Sequence, residues 1–225
     1  MRLLVVRHGA TANNAEGRFT GQTDMPMSPL GLRQAEAVAD ALAGERFDLI
    51  VASDLSRAQM TAEAIMRRAE SPFLIDPDLR EIAMGAWEGH TFGGVMRKFP
   101  EAWERWRVAP EQSAPPGGES VAELRDRAVR ALARCLFAHS SGRVLWVTHG
   151  GLIGVLLCHV LDIDLTHRGQ FRRDNCAITE LELLATTAAS PDADPRHDHG
   201  ASQILRLNDT HHLAALPASE VDQVL

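Results

Sequence analysis

Several side chains suited to acid–base or nucleophilic chemistry follow short aliphatic segments of this sequence. Arg7 and His8 end such a segment in "VVRHGATANN", and His149 ends a later one in "VLWVTHGG". Arg57 lies in "ASDLSRAQMTAEAI" and Glu81 in "LREIAMGAWEG". Guanidinium groups bind phosphate oxygens in pairs and keep their charge. A neutral imidazole is a nucleophile, and a carboxyl group can protonate a leaving oxygen. Together these residue types favour phosphoryl transfer through a histidine.

Backbone groups near the two histidines favour the same kind of ligand. Gly9 and Gly150 follow the histidines and let the backbone approach a ligand closely. Helices that begin after these strands would direct N–H donors and the positive end of a dipole at an anion. The ligand that this arrangement predicts is a phosphate group.

Strands alternating with helices must position these residues. Strands are predicted at 3–6, 48–54, 72–77 and 143–151, and helices at 28–45, 56–69, 91–108, 121–137 and 151–161. The segments 176–184 and 202–209 are strand-like and could pair antiparallel. This order predicts an α/β fold, a three-layer sandwich with a mostly parallel central sheet flanked by helices. Ligands bind beyond the carboxyl ends of parallel strands, so His8 and His149 are expected at one sheet edge.

Composition excludes several classes of protein. The chain has 225 residues, 45% of them hydrophobic, and a net charge of -7. An acidic balance argues against nucleic acid as a partner, and the longest apolar stretch is too short to span a bilayer. Three cysteines without a CxxC pair predict small buried side chains and no disulfide framework. We expect a cytoplasmic protein with no signal peptide and no membrane partner.

One catalytic domain is predicted over 1–209, followed by a C-terminal tail, 210–225. Within the domain, 91–117 is expected to form a cap that governs specificity, and the Pro- and Asp-rich segment 186–201 is expected to be a mobile loop. That loop contains His197 and His199, which could bind zinc as a pair, although a solvated loop is the simpler interpretation. No metal site and no cofactor are predicted.

Six motifs, in order over about residues 2–161, resemble the histidine phosphatase superfamily in its phosphoglycerate mutase-like branch. They are "RHGAT" with Asn14 following, "FTGQTDMPMSPLGLRQAEAVADAL", "ASDLSRAQMTAEAI", "LREIAMGAWEG", "GGES" and "VLWVTHGGLI". The late segment "LNDTHHL" resembles the ends of bacterial phosphatases of this group, including those that act on α-ribazole phosphate. The resemblance implies the phosphoglycerate mutase-like α/β fold.

The resemblance also implies a role for each matching residue. His8 would be the nucleophile that becomes phosphohistidine, and Glu81 the proton donor, although Glu88 lies nearby in the sequence. The transferred phosphoryl group would be bound by Arg7, Arg57 and His149. The remaining pocket positions are Thr11, Asn14, Thr20, Gly21, Gln22 and Gly150. The family needs no metal, because cationic side chains neutralise the phosphate.

Phosphatases and mutases share these motifs, and two departures favour a phosphatase. The segment from Gly89 to Gly117 lacks the adjacent arginine pair and proline-rich insert of the classical mutases, and Gly151 stands where those mutases have asparagine. The sequence thus predicts a metal-independent phosphomonoesterase acting on a small-molecule phosphate ester. The alternatives are a cofactor-dependent phosphoglycerate mutase, a non-catalytic phosphate-binding or interaction module, and a metallohydrolase using the "HDH" loop. Family analogy alone allows a homodimer.

Overall fold

A computed structural model describes residues 1–184 and 202–216 of the chain. One six-stranded sheet has the order β3-β2-β4-β1-β5-β6. Its strands are β1 (Arg2–Arg7), β2 (Leu49–Ala52), β3 (Phe73–Ile75), β4 (Arg143–Thr148), β5 (Ile178–Glu182) and β6 (Gln203–Asp209). The first four pair in parallel, whereas β5 is antiparallel to both β1 and β6. The mostly parallel sheet and the antiparallel pairing of the last two strands confirm the predictions.

Helices cover both faces of the sheet. They are α1 (Ala12–Ala15), α2 (Pro29–Ala41), α3 (Ser56–Met66), α4 (Phe92–Lys98), α5 (Pro100–Val108), α6 (Val121–Ala138) and α7 (Gly150–Val160). Short 3₁₀ turns occupy Pro77–Leu79, Gly85–Trp87, Leu165–Gln170 and His211–Leu213. One core lies between the sheet and α4 to α7, and the other lies between the sheet and α2 and α3. The structure therefore has the three layers expected.

The aliphatic run of β1 fills both cores. Leu3 and Val5 belong to the core under α6 and α7, whereas Leu4 and Val6 belong to the core under α2 and α3. Successive side chains of a strand point to opposite faces. A strand covered on both sides consequently reads as a continuous hydrophobic run, and only its end is free to carry polar residues.

Helix boundaries follow local signals with three corrections, one of which is that α3 ends at Met66 rather than at 69. Ser28 caps α2 by accepting a hydrogen bond from the Gly31 N–H at 3.1 Å, as predicted, but the helix ends at Ala41 rather than at 45. The predicted single helix over 91–108 is two helices, α4 and α5. Pro100 causes the break, since proline disfavours helical backbone before it and suits the first turn of a new helix.

Two further expectations are confirmed. The capping box of Ser120 and Glu123 at the start of α6 is present, and all three cysteines are buried and unpaired. None of the helices within 1–184 and 202–216 is long and apolar enough to cross a membrane. The predicted loop 186–201, with His197 and His199, lies outside the described residues, as does the tail beyond Leu216.

Candidate active site

The predicted histidines meet at the carboxyl edge of the sheet. Because β1 and β4 are parallel neighbours with Arg7 opposite Thr148, the residues that follow them lie side by side. The ring centroids of His8 and His149 are 5.0 Å apart. The backbone N–H of His8 donates to the backbone carbonyl of Thr148 at 2.9 Å. Gly9 is required here, since an added Cβ would overlap the backbone of Gly31.

His8 presents one ring nitrogen to the pocket. Its Nδ1 lies 2.8 Å from the carbonyl oxygen of Gly9, so Nδ1 carries the proton and Nε2 keeps its lone pair. Nε2 has no hydrogen-bond partner among the residues that the structure describes. Burial lowers the pKa of His8 well below its ordinary value, and the charges of Arg57 and Arg7 lower it further. His8 is therefore neutral, with a free nucleophilic nitrogen.

Two guanidinium groups, one of them fully buried, flank His8. Arg57, in the first turn of α3, donates to the carbonyl oxygens of Thr23 at 3.0 Å and Gly21 at 2.8 Å. The Nε atoms of Arg7 and Arg57 are buried, and neither has a hydrogen-bond partner in the described part of the chain. Burial lowers the pKa of Arg7 to about 10, against the raising effect of Glu81. Both arginines thus stay charged near neutral pH and hold unused donors.

The ring of His149 is anchored by a hydrogen bond to Ser53. Its Nε2 lies 2.9 Å from the hydroxyl oxygen of Ser53, which follows β2. Its Nδ1 is buried and lacks a partner among the described residues. Burial lowers the pKa of His149, and the charge of Arg57 lowers it further. A neutral ring whose Nε2 accepts the Ser53 hydroxyl proton has its Nδ1–H free for an anion. Gly150 then begins α7, with its N-terminus at the site.

The two neighbouring glutamates have different surroundings. Glu81 accepts hydrogen bonds from the Ile82 N–H at 2.9 Å and the Gly151 N–H at 3.1 Å, which puts its carboxylate beside the N-terminus of α7. Glu88 instead accepts from the backbone N–H groups of Gln22 and Thr23, both at 2.9 Å. Glu88 therefore fixes a loop, whereas Glu81 is the carboxylate beside Arg7, Arg57 and the start of α7.

The predicted pocket positions lie around this edge, and most already have partners. The backbone N–H and hydroxyl of Thr11 donate to Oδ1 of Asn14 at 2.9 and 3.0 Å, so the pair orient each other. The Thr20 hydroxyl is buried without a partner in the described residues. Gly21, at a φ of 54°, binds Arg57 through its carbonyl oxygen. Gln22 donates to the backbone carbonyl of Glu81 at 3.0 Å.

Several supporting residues were not identified from the sequence. Arg127, on the buried face of α6, pairs with Glu119 at 2.8 Å and donates to the backbone carbonyl of Glu81 at 2.8 Å. Asn175 donates to the carbonyl of His8 at 2.7 Å. A charged residue among apolar helix positions was a usable signal for Arg127. Ser53 and Asn175 gave none, because their partners are distant in sequence.

The segment expected to act as a cap contributes mainly packing. Trp103 and Trp106 of α5 lie with ring centroids 5.6 and 5.7 Å from that of the buried Trp87. Phe92 of α4 is different, since its ring centroid lies 4.4 Å from that of Phe19 and its side chain is half exposed.

No group of three or more His, Cys, Asp or Glu side chains within the described ranges could hold a metal ion.

Comparison with known proteins gives the same family as the motifs. The model of the histidine phosphatase superfamily, branch 1, matches residues 3–189. A protein of Proteus mirabilis named "Probable phosphoglycerate mutase GpmB" is 34% identical over 183 residues, covering 81% of this chain and 85% of that protein.

Solved structures of phosphatases share the fold. The α-ribazole phosphatase of Shigella flexneri superposes with a TM-score of 0.79 at 26% identity, covering 93% of this chain and 96% of that chain. The mycobacterial glucosyl-3-phosphoglycerate phosphatase, in complex with VO3, has a TM-score of 0.71 at 35% identity, covering 80% and 92%. With the match over 3–189, these similarities show that the chain belongs to the histidine phosphatase superfamily.

Proposed function

We propose that this protein is a metal-independent phosphomonoesterase that hydrolyses small phosphorylated metabolites through a phosphohistidine at His8. One observation carries the proposal: a neutral His8 with a free Nε2 lies among two guanidinium groups and a second neutral imidazole, whose buried Nε and Nδ1 atoms have no partner among the described residues. Such a set neutralises the equatorial oxygens of a phosphoryl group and leaves a nucleophile in line with it.

In the first half of the proposed reaction, Arg7, Arg57 and Nδ1 of His149 bind the phosphate of the ester. Nε2 of His8 attacks phosphorus, and the bond from phosphorus to the ester oxygen breaks. Glu81, which must be protonated for this step, gives its proton to that oxygen, so the alcohol leaves neutral. The products of this half are phospho-His8, free alcohol and the Glu81 carboxylate.

In the second half, water replaces the alcohol. The water oxygen attacks phosphorus while the Glu81 carboxylate takes a proton from the water. The bond between phosphorus and Nε2 of His8 breaks. Inorganic phosphate leaves, His8 regains its lone pair, and Glu81 is again protonated. The cationic side chains supply the neutralisation that a metal ion supplies in other phosphatases.

A phosphoglycerate mutase is the second candidate function, and the similarity to the Proteus mirabilis protein favours it. A mutase returns the phosphoryl group of phospho-His8 to an organic acceptor rather than to water. The glycine at position 151 and the short segment 89–117 support the phosphatase, because the classical mutases differ at both places.

The test is release of inorganic phosphate from p-nitrophenyl phosphate in excess EDTA. Wild type should turn over, His8→Ala should not, and His167→Ala, a change at an exposed histidine, should behave as wild type. Acid quench of wild type should trap phosphate on His8. Turnover by His8→Ala at the wild-type rate, or loss of wild-type activity in EDTA, would overturn the proposal. Isomerisation of phosphoglycerate without phosphate release would favour the mutase.

A further inference from the structure

Arg173 is a third guanidinium group at this site that the proposed reaction does not use. Its Nη1 donates to the carbonyl oxygen of Gly150 at 3.1 Å, and its own backbone carbonyl accepts from the side chain of Arg7. It forms no ion pair with any carboxylate in the described part of the chain. A half-buried cation with spare N–H donors therefore stands beside the phosphoryl pocket.

Arg173 lies on the Glu81 side of that pocket, since it donates to the carbonyl of Gly150 while the next residue, Gly151, donates to Glu81. Burial lowers the pKa of Arg173, and Glu81 is the largest opposing influence. Arg173 in turn lowers the pKa of Arg7. Farther out lies Arg168, whose pKa is lowered by burial and by the charge of Arg173. The guanidinium of Arg168 lies 5.5 Å from the ring centroid of Trp106 in α5. Positive charge thus continues from the phosphoryl pocket, past Glu81, to the helices of the cap segment.

The proposed reaction puts the leaving group on this side of the pocket. The group that protonates the ester oxygen must touch the leaving group, so the leaving group extends toward Glu81. An anionic substituent on it would then lie on the side of the pocket that Arg173 occupies. A partly desolvated guanidinium costs free energy unless it is paired, and a carboxylate or phosphate pairs with its fork through two hydrogen bonds.

We propose that Arg173 binds a second anionic group, a carboxylate or a second phosphate, on the leaving group and makes the enzyme selective for phosphate esters that carry one. This inference rests on the proposed function. Arg173 is here a specificity-determining residue. The rival interpretation is that Arg173 only supports the site, through its backbone carbonyl to Arg7 and its side chain to Gly150, in which case replacing the side chain would affect every substrate alike.

The experiment compares three substrates of one carbon skeleton. 3-Phosphoglycerate carries a carboxylate, glycerol 1,3-bisphosphate carries a second phosphate, and glycerol 3-phosphate carries neither. Arg173→Gln should lower kcat/KM roughly 10- to 100-fold for whichever anionic substrate is preferred, mainly through KM, as expected for one charge-assisted interaction. Hydrolysis of glycerol 3-phosphate should change less than about threefold, and Arg173→Lys should recover part of the loss.

Arg172→Gln is the matched control, because Arg172 is adjacent, exposed and paired with Asp174 at 2.8 Å, and its loss changes net charge equally. Equal losses for all three substrates in Arg173→Gln would overturn the inference, as would a wild type with no preference for an anionic substrate.

A binding measurement separates this inference from the proposed function. Calorimetry on His8→Ala should show tighter binding of an anionic substrate than of glycerol 3-phosphate, and Arg173→Gln in that background should remove the difference. This readout needs no turnover. Absence of phosphate release with the binding difference intact would therefore count against the phosphatase alone, whereas absence of the binding difference would overturn the role of Arg173.

Discussion

The hydroxyl of Ser53 lies 2.9 Å from Nε2 of His149, and this contact joins the ends of two neighbouring strands. Ser53 follows β2 and His149 follows β4, and both are completely buried. The Ser53 hydroxyl can donate or accept at Nε2, and the tautomer of His149 that binds a phosphate through Nδ1–H is the one in which the hydroxyl donates to Nε2. Ser53 is thus a positioning residue for a phosphate-binding histidine.

Replacing Ser53 with alanine should weaken phosphate binding. The loss of one neutral hydrogen bond is worth about 1 kcal/mol, so we expect a roughly three- to tenfold fall in kcat/KM. The inhibition constant of inorganic phosphate should rise by a similar factor. Ser53→Thr, which keeps the hydroxyl, is the control. If the affinity for phosphate were unchanged in Ser53→Ala, the contact would have no role in orienting His149.

The pairing of His8 with His149 could be predicted from the sequence, whereas the contact with Ser53 could not. Both histidines follow unmistakable buried strands, and parallel strands share a carboxyl edge. Ser53 and His149 are 96 positions apart, and their meeting depends on the strand order, which local patterns do not determine. A serine after a strand is also too common to single out.

Helix ends and the break in the cap segment show the same limit of local reasoning. Ser28 and Pro29 are specific start signals and predicted the first residue of α2. Gly44 was a weaker stop signal, because its φ of 77° belongs to a turn that follows the helix rather than to its last residue. The helical spacing of the large apolar side chains predicted one helix over 91–108, although Pro100 within it is a signal for a break.

The ion pair of Arg127 with Glu119 positions Glu81, the proposed proton donor. Both side chains are largely buried, and Arg127 also donates to the backbone carbonyl of Glu81. Arg127→Met leaves the Glu119 carboxylate buried without its partner, so the free energy of unfolding should fall by about 3–5 kcal/mol. Urea unfolding measures this. The double variant Arg127→Met/Glu119→Leu should recover part of the loss, and a loss below about 1 kcal/mol in the single variant would contradict a structural role.

Gly151 sets the place of the Glu81 carboxylate. Its N–H donates to Oε2 of Glu81, and a Cβ at this position would overlap Oε1. In Gly151→Ala the flexible carboxylate must swing away. The variant should therefore lose activity on alkyl phosphates, which need a proton on the leaving oxygen, far more than on p-nitrophenyl phosphate. We expect a difference of roughly tenfold or more, in line with the contribution of acid catalysis.

Two further variants calibrate that result. Glu81→Gln should show the same bias against poor leaving groups, because it removes the proton itself. Gly169→Ala is the control, since an added Cβ there meets no atom within 4 Å. Equal losses on alkyl and aryl phosphates in Gly151→Ala and Glu81→Gln would remove Glu81 from the role of acid.

The buried histidines should determine how the enzyme responds to acid. His8 must be neutral to attack phosphorus, and its pKa lies well below the ordinary value because of burial and the charges of Arg57 and Arg7. Protonation of His8 in the free enzyme should therefore reduce kcat/KM only well below about pH 6.5, the usual value for histidine. A profile of kcat/KM against pH, with the titration of ¹⁵N-labelled His8 followed by NMR, measures this.

Stability should depend on pH with a sign that follows from the same shift. Below about pH 6.5 the unfolded chain binds a proton at His8 that the folded protein does not bind, so the free energy of unfolding falls as pH falls. His149 acts in the same direction. His8→Asn should make the fall between pH 6.5 and 5 shallower, and His167→Asn, at an exposed site, should leave it unchanged. A titration of His8 at or above pH 6.5 in the folded protein would contradict both expectations, because the folded chain would then bind this proton at least as readily as the unfolded chain.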